Sequence, residues 1–288
     1  MKSFAHSRDC CRWSNRTDTA LHSAAVKSSY AGAAWDEAEF VRKMTRAREQ
    51  VELLGRPRKT LSPGEYRVYF TPVAVAEMLS LLSWGGFGLK SRQTGVSALM
   101  QLERGEAQLH SSVSLTESVA TGIAPRFQDD GFVKPDAVKL VEQGRAAGTL
   151  ASPRSAKEYG SAATGANSGE GPESLAMAAG TLAEADVLRT LGTGIYLSNL
   201  HYLNYSDRLA CRITGMTRFA CFAVENGELV APIGVMRFDD SFLRMFGPGL
   251  VALTAKAEPS PDTGTYGGRT LASVTAPGAV VDAFRFTL

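Results

Sequence analysis

Residues 196–242 contain the pattern that decides the fold. They read Tyr-Leu-Ser-Asn-Leu-His-Tyr-Leu-Asn at 196–204, Thr-Gly-Met-Thr-Arg at 214–218, Val-Glu-Asn-Gly-Glu-Leu-Val-Ala-Pro-Ile at 224–233 and Met-Arg-Phe-Asp-Asp-Ser-Phe at 236–242. Asn226-Gly227 stands between two apolar runs, and Asn-Gly is the preferred pair for a tight hairpin because both residues accept positive φ. The segment predicts a β-rich domain with short strands and tight turns.

The flanking sequence adds further strands and a few helices. Strands are predicted at 66–70 and 195–200, a hairpin closes at Gly144, and the alternation within 270–288 predicts one closing strand at the end of the domain. Helices are predicted at 35–54, 72–83 and 91–102, and from the Thr181–Glu184 capping box to Gly192. Residues 152–173 are predicted to be a loop, and residues 1–34 show no period and predict a disordered or atypical leader.

The composition excludes several classes of protein. The 288 residues are 44% hydrophobic, enough for a sizeable core, and carry a net charge of +2 without a basic run that could follow phosphates. No apolar run is long enough to span a bilayer, and residues 1–9 lack the apolar centre of a signal peptide. We therefore expect a soluble, cytoplasmic protein that binds neither nucleic acid nor membrane. Cys211 and Cys221 are expected to be buried free thiols.

An ordered series of short motifs resembles the TldD/PmbA (TldD/TldE) metalloprotease family. The series consists of Gly-Thr-Leu at 180–182, Gly-Ile-Tyr-Leu at 194–197, Thr-Gly-Met-Thr-Arg at 214–218, Glu-Asn-Gly-Glu at 225–228, Arg-Phe at 237–238 and Tyr-Gly-Gly-Arg at 266–269. The resemblance extends over about Leu61 to Leu288. Each motif alone is weak, but their order and spacing make a chance similarity improbable.

The resemblance implies which branch of the family this chain is similar to. In the catalytic branch a helix carries His-Glu-x-x-x-His, a cysteine of the C-terminal domain completes the zinc ligands, and the glutamate is the general base. The histidines here are His6, His22, His110 and His201, none of them at helical spacing, and no cysteine follows Cys221. The chain resembles the TldE/PmbA branch, which implies no cofactor in this chain and a TldD-like zinc-bearing subunit as its partner.

The fold class that follows is α+β, with a β-rich TldD/PmbA C-terminal-type domain, a few helices and a short helical segment in front. Residues 61–288 are expected to form this domain. Residues 1–60 are expected to be a leader and a helical remnant of the family's N-terminal or central region. Members of the family are typically longer, so a truncated or divergent gene product is a further expectation.

The residues predicted to line a substrate groove are His201, Tyr202 and Arg218. His201 is alternatively a hydrogen-bonded strand histidine, and Arg218 is alternatively part of a structural salt bridge, although its guanidinium could bind a peptide carboxylate. The carboxylates are paired at 129–130 and 239–240. Adjacent strand residues point to opposite faces, so neither pair is expected to converge on one proton or one metal, and both are expected in solvated turns. No catalytic or metal-binding residue is predicted.

The implied function is assistance in proteolysis of unfolded or small peptides. A metal-free subunit could hold or gate the peptide substrate, for example by adding it to an exposed strand edge, while the partner cuts. One alternative is a stand-alone peptide-binding or scaffold protein. The other is an autonomous hydrolase with an unrecognised site that uses Ser111 or His201. A set of His110, a nearby serine and Glu117 lacks the nucleophile-elbow sequence.

Overall fold

The computed structural model describes residues 25–31, 34–128, 130–264 and 268–288. The helices are α1 (Glu37–Leu54), α2 (Pro72–Leu82), α3 (Leu89–Gln93), α4 (Met100–Glu103), α5 (Pro153–Tyr159), α6 (Val187–Leu191) and α7 (Phe242–Met245), with a 3₁₀ turn at Glu184–Asp186. The strands are β1 (Gly64–Phe70), β2 (Leu115–Glu117), β3 (Val138–Glu142), β4 (Arg145–Ala146), β5 (Ser174–Met177), β6 (Gly194–Leu197), β7 (Asn199–Asp207), β8 (Arg212–Arg218), β9 (Phe222–Glu225), β10 (Glu228–Pro232), β11 (Arg237–Ser241), β12 (Leu250–Pro261) and β13 (Ser273–Phe286). The predicted α+β, β-rich fold class is confirmed.

One mixed sheet organises these strands, and β13 is its centre. The main path is β10-β9-β6-β1-β13-β5-β2-β3-β4, and β12, β11, β8 and β7 branch from it. Strand β13 pairs antiparallel with β1, β12 and β11 and parallel with β5. The alternation near the C-terminus thus identified a strand correctly. Its place is nevertheless central, because its length lets different segments pair with different neighbours.

Local chemistry explains the two longer helices. The Asp36 side chain accepts the Glu39 N–H at 3.0 Å and begins α1, and Thr71 accepts the Ala74 N–H and begins α2. Pro72 stands in the first turn of α2, where a missing N–H costs nothing. Both predicted helices are confirmed. Helix α2 lies against the sheet with nearly all of its apolar side chains buried.

Both predicted hairpins are confirmed by their turn geometry. Strands β9 and β10 are joined through Asn226 (φ 51°) and Gly227 (φ 80°), a pair of positive values that a tight turn of this hand requires. Strands β3 and β4 are joined through Gln143 (φ 48°) and Gly144 (φ 79°). An added Cβ at Gly144 would lie 2.1 Å from the Leu109 carbonyl oxygen, so close packing also requires glycine there.

Three sequence expectations differ from the structure. The helix expected at 91–102 is divided into α3 and α4, because the chain turns at Gly95 with φ 73°. The helix expected from Thr181 begins later, with the 3₁₀ turn and α6, although it ends at Gly192 as predicted. The loop expected at 152–173 begins with α5, whose N-cap is Ser152.

Two hydrophobic clusters lie on either side of the sheet. The larger one contains α2, α7 and the aromatic side chains of β1, β11 and β13. The smaller one lies under α1 and includes Val26, Ala47, Tyr69, Tyr196 and Phe222. Val26 is buried in this cluster, so the described part of the expected leader, residues 25–31, packs at this point although it contains no helix or strand. Residues 1–24 and 32–33 lie outside the described residues. Among the described helices, none has the length and apolar character needed to cross a bilayer.

Candidate functional site

A polar cleft opens where α1 and the segment 25–31 meet the start of β7. The cavity measures about 80 Å³. Its walls come from three directions, because the β6–β7 junction lies beside the first turn of α2 and beneath α1. The side chains that line it are Lys27, Ser28, Ser29, Arg42, Lys43, Arg46, Gln50, Thr71, Tyr196, Ser198, Asn199 and Glu258.

The cations that α1 contributes to this cleft are all in ion pairs. Arg42 donates to Glu39 and Glu184, Arg46 pairs with Glu184, and Lys43 pairs with Glu258 of β12. The Arg42 guanidinium is the main reason that the pKa of Glu39 falls to about 2, against the opposing effect of burial. This network attaches α1 to the sheet, and these three cations are already neutralised.

The Tyr196 hydroxyl lies at the polar floor of the cleft. The Tyr196 hydroxyl accepts from Gln50 Nε2 at 3.2 Å and from Arg46 at 3.1 Å. Burial raises the pKa of Tyr196 and of its neighbour Tyr69, so both phenols stay protonated at neutral pH. They act as hydrogen-bonding groups and not as bases.

Glu77 of α2 fixes the first residues of β7. Its carboxylate accepts from Asn199 Nδ2 at 3.1 Å and from the Leu200 N–H at 2.6 Å. Burial raises the pKa of Glu77 to about 7, although these hydrogen bonds and the charge of Lys27 act in the opposite direction. Sequence reasoning missed this residue, whose signal is a single acidic side chain among the apolar residues of α2.

The three predicted groove residues lie together beside the cleft. In the β7–β8 ladder His201 is opposite Met216 and Asn199 is opposite Arg218, so His201 and Arg218 are diagonal neighbours on one face. Tyr202 is 73% exposed, has φ 51° and lies with its ring 4.2 Å from that of His201. Burial lowers the pKa of His201, and the charges of Arg218 and Lys27 lower it further. A substrate role for the three residues stays a prediction.

Lys27 and Phe219 complete this corner, and sequence reasoning missed both. The Lys27 Nζ and the Arg218 Cζ lie 5.9 Å and 5.1 Å from the centroid of the Phe219 ring. Phe219 has φ 62°, in the left-handed region of the backbone, and both cations lie within 6 Å of the centroid of its ring. Lys27 belongs to a segment without periodicity, so no local pattern could have indicated it.

Three points on the strand edges near this site are already hydrogen-bonded. The Leu200 N–H of β7 is held by Glu77, and Lys59 donates its N–H to the Pro232 carbonyl of β10 at 2.8 Å. On β12, Leu182 both donates to Leu253 and accepts from Ala255. The resemblance suggested that a peptide could add to an exposed strand edge. At those points of these three edges, the backbone is already covered by hydrogen bonds.

The residues considered for a hydrolase do not form a triad. His110 Nδ1 lies 2.8 Å from Ser112 Oγ, but the same nitrogen accepts the Ser112 N–H, which is the geometry of a local turn. Glu117 lies on β2 and accepts from the Glu173 and Ser174 N–H groups. The acid that the triad would need therefore holds the start of β5.

The Asp239–Asp240 pair lies on β11, so its expected place in a solvated turn is wrong. Asp240 is 2% exposed and accepts from Arg244 Nε at 2.8 Å and from the Ser241 and Arg285 N–H groups. Asp239 points to the other face and pairs with Arg212, which agrees with the alternation of a strand. In the other pair, Asp129 lies outside the described residues.

The thiols and the acidic side chains provide no metal centre among the described residues. Cys211 and Cys221 are buried and free, as predicted, and burial raises the pKa of each thiol. No three histidine, cysteine or acidic side chains of the described ranges converge as a ligand set. Cys10 and Cys11 lie outside those ranges.

Three solved structures resemble this fold at low sequence identity. TldE from Thermococcus kodakarensis matches with a TM-score of 0.72 and 16% identity over 87% of this chain and 56% of its own. A candidate modulator of a DNA gyrase from Thermotoga maritima matches with a TM-score of 0.68 and 17% identity over 85% of this chain and 55% of its own. A candidate modulator of DNA gyrase from Bacteroides thetaiotaomicron matches with a TM-score of 0.65 and 18% identity over 86% of this chain and 51% of its own. The chain spans about half the length of these proteins.

A family model covers most of the chain. No curated protein matches. Residues 63–288 match the model described as the PmbA/TldA metallopeptidase C-terminal domain. The match agrees with the solved structures in fold and includes the motif-bearing region 180–246 on which the resemblance rests. The chain therefore belongs to the PmbA/TldD metallopeptidase family.

Proposed function

We propose that this chain is a TldE/PmbA-like subunit of a heteromeric metallopeptidase that holds no zinc of its own. It would hold or gate unfolded or small peptides while a TldD-like zinc-bearing subunit cuts them, and we place this activity in the cytoplasm. One observation carries the proposal. A C-terminal domain of this family spans residues 63–288, while the whole sequence lacks the His-Glu-x-x-x-His pattern of the catalytic branch.

The chemistry of the cut explains why a partner is needed. Zinc lowers the pKa of a bound water enough to supply hydroxide near neutral pH, and a catalytic site uses three protein ligands with one open position. The four histidines of this chain are far apart in sequence, and the cysteines after residue 200 are buried thiols. In the proposed complex the partner would supply the metal and this chain would supply contacts to the peptide.

The cleft beside α1 is the part of the surface that suits the peptide-holding role. It is lined by hydrogen-bonding groups and Lys27, and Arg218 and the exposed ring of Tyr202 lie on the strands beside it. The predicted groove residues His201, Tyr202 and Arg218 border it. Since the nearby strand edges are hydrogen-bonded at Leu200, Pro232, Leu253 and Ala255, we propose that side chains of this cleft contact the substrate.

Reconstitution with a TldD-like subunit tests the proposal. The chain alone is expected to contain no stoichiometric zinc by elemental mass spectrometry and to leave an unstructured fluorogenic peptide intact. Mixed with the partner, it is expected to co-elute in size-exclusion chromatography and to raise the rate of hydrolysis above that of the partner alone. Stoichiometric zinc in the isolated chain would contradict the proposal.

Two other outcomes identify the alternatives. A folded chain that binds peptide but recovers no TldD-like partner would be a stand-alone binding or scaffold protein. Peptidase activity of the isolated chain that disappears in the His201→Ala variant would indicate an autonomous hydrolase. Among the described residues, no contact specifically favours either alternative.

A further inference from the structure

Two cations at the mouth of the cleft form no ion pair with the described residues: Lys27 lines the cavity, and Arg218 lies opposite the lining residue Asn199. Neither Lys27 nor Arg218 forms an ion pair or a side-chain hydrogen bond there, although both lie within 6 Å of the centroid of the Phe219 ring. Both side chains are exposed, and Phe219 is half-buried. Interaction with the face of an aromatic ring holds a cation in place but leaves its N–H groups free to bind an anion.

The neighbouring acids form no ion pair with Lys27 or Arg218. Glu258 is bound to Lys43, and Glu184 is bound to Arg42 and Arg46. The charge of Glu77 acts on Lys27, but the Glu77 carboxylate contacts Asn199 and Leu200 and not the lysine. The cations of α1 in this cleft are therefore in ion pairs, whereas Lys27 and Arg218 at its mouth are not.

The backbone beneath Arg218 is held in position. Ser198 Oγ donates to the Arg218 carbonyl at 3.1 Å, and the buried thiol of Cys221 donates to the same oxygen at 3.2 Å. Asn199, opposite Arg218 in the ladder, is buried and lines the cavity with Lys27. A small anion at this point would meet a fixed strand, not a mobile loop.

We propose that Lys27 and Arg218 bind the terminal carboxylate of a peptide at the mouth of this cleft. The planar fork of an arginine matches a carboxylate through two parallel N–H···O bonds, and a lysine adds a point charge. The about 80 Å³ cavity is suited to a small terminal group and not to a folded partner. The inference rests on the proposed function, because it states which end of the substrate this chain holds.

Peptide binding by the chain alone tests the site. An N-terminally fluorescein-labelled pentaalanine with a free C-terminal carboxylate is titrated with the protein and followed by fluorescence anisotropy. The same peptide with a C-terminal amide is the matched ligand, and inorganic phosphate is the competitor that reports a site for any small anion. We expect amidation to weaken binding at least tenfold and 10 mM phosphate to compete only weakly.

Charge-matched variants separate a built site from general attraction. We expect Lys27→Gln and Arg218→Gln each to weaken binding of the free-carboxylate peptide about tenfold, with Arg218→Lys between wild type and Arg218→Gln. Arg145→Gln removes the same charge from an exposed position on β4 and is expected to bind like wild type. Thermal unfolding followed by circular dichroism confirms that every variant is folded.

Three results would overturn the carboxylate site. They are no binding by the wild type, equal affinity for the acid and amide peptides, and a loss in Arg145→Gln as large as in Arg218→Gln. Displacement by phosphate as strong as by the unlabelled acid peptide would likewise replace a peptide site with a general anion site. Complex formation with a TldD-like subunit is measured in a separate experiment and does not depend on any of these results. Failure of this inference is therefore distinguishable from failure of the proposed function.

Discussion

Asp240 on β11 and Glu77 on α2 hold neighbouring backbone in the same way, but only one of them has a cation. Both carboxylates accept a backbone N–H from a different element, Arg285 of β13 for Asp240 and Leu200 of β7 for Glu77. Asp240 also receives two donors from Arg244, whereas Glu77 has an amide as its second donor. A carboxylate can therefore connect two parts of this sheet with or without a counter-charge, at different electrostatic cost.

Glu117 belongs with Glu77 in this comparison. It is buried on β2, accepts the Glu173 and Ser174 N–H groups at 3.0 Å, and makes no ion pair of its own with described residues. Burial raises its pKa to about 7, opposed by the Ser174 N–H and the charge of Lys134. Glu77 and Glu117, neither of which contacts a cation of the described residues, thus carry raised pKa values, which makes their contribution to stability dependent on pH.

Removal of Asp240 is expected to have the largest effect. Asp240→Ala leaves Arg244 and the Arg285 N–H without their acceptor, and losing one partner of a buried pair costs about 3 kcal/mol. Asp239→Ala on the same strand is the matched control, because Asp239 and Arg212 are partly exposed and such a pair contributes under about 1 kcal/mol. Urea denaturation followed by circular dichroism measures both. Equal losses in the two variants would show that burial does not distinguish them.

Glu117→Gln is expected to remove part of the pH dependence of stability. The folded-state pKa is raised, so the native protein binds more protons than the unfolded chain between pH 4.5 and 7, and this group lowers stability as pH rises through that window. A pKa shift of this size changes the free energy of unfolding by at most about 3 kcal/mol across that window. We expect the variant to match wild type at pH 5 and to be more stable at pH 8.

Denaturation at the two pH values provides its own control for this variant. At pH 5 the native carboxyl is protonated and the amide imitates it, so a large loss there would indicate a packing defect. A variant that is less stable than wild type at pH 8 would contradict the assignment of burial as the main cause of the raised pKa.

Glu77→Gln extends the same test to the cleft, with a smaller expected gain at pH 8. The sign is that of Glu117, since burial raises the pKa of Glu77 to about 7, but the surface of Glu77 is only partly covered, so solvent screens part of the penalty. We expect the stability of the variant relative to wild type to rise by about 1–2 kcal/mol between pH 5 and pH 8. The double variant with Glu117→Gln is expected to be additive, because the two sites share no partner.

The elements that the sequence predicted are those whose determinants are local. Asn226-Gly227 sets its own turn, and Asp36 and Thr71 cap their helices three residues away. Thr181–Glu184 had the form of a capping box, but the Glu184 carboxylate is bound by Arg42 and Arg46, more than 130 residues earlier in the chain. A pattern that depends on one side chain fails when a distant partner binds that side chain.

The site was only partly predictable for the same reason. His201, Tyr202 and Arg218 lie in the motif-bearing strands and were found by resemblance, whereas Lys27 reaches Phe219 from a segment without any pattern. The central position of β13 and the burial of Asp240 also depend on pairing between distant segments. Sequence order alone cannot specify which strands become neighbours.

The exposed pair of Glu225 and Lys59 completes the comparison with the smallest expected effect. It has the cation that Glu77 lacks but not the burial of Asp240, since about half of each side chain is exposed. Solvent screens such a pair, so Glu225→Gln is expected to change the free energy of unfolding by under about 1 kcal/mol and to have still less effect in 1 M NaCl. A loss as large as that of Asp240→Ala, unchanged by salt, would show that the cation and not the burial determines what a carboxylate contributes in this fold.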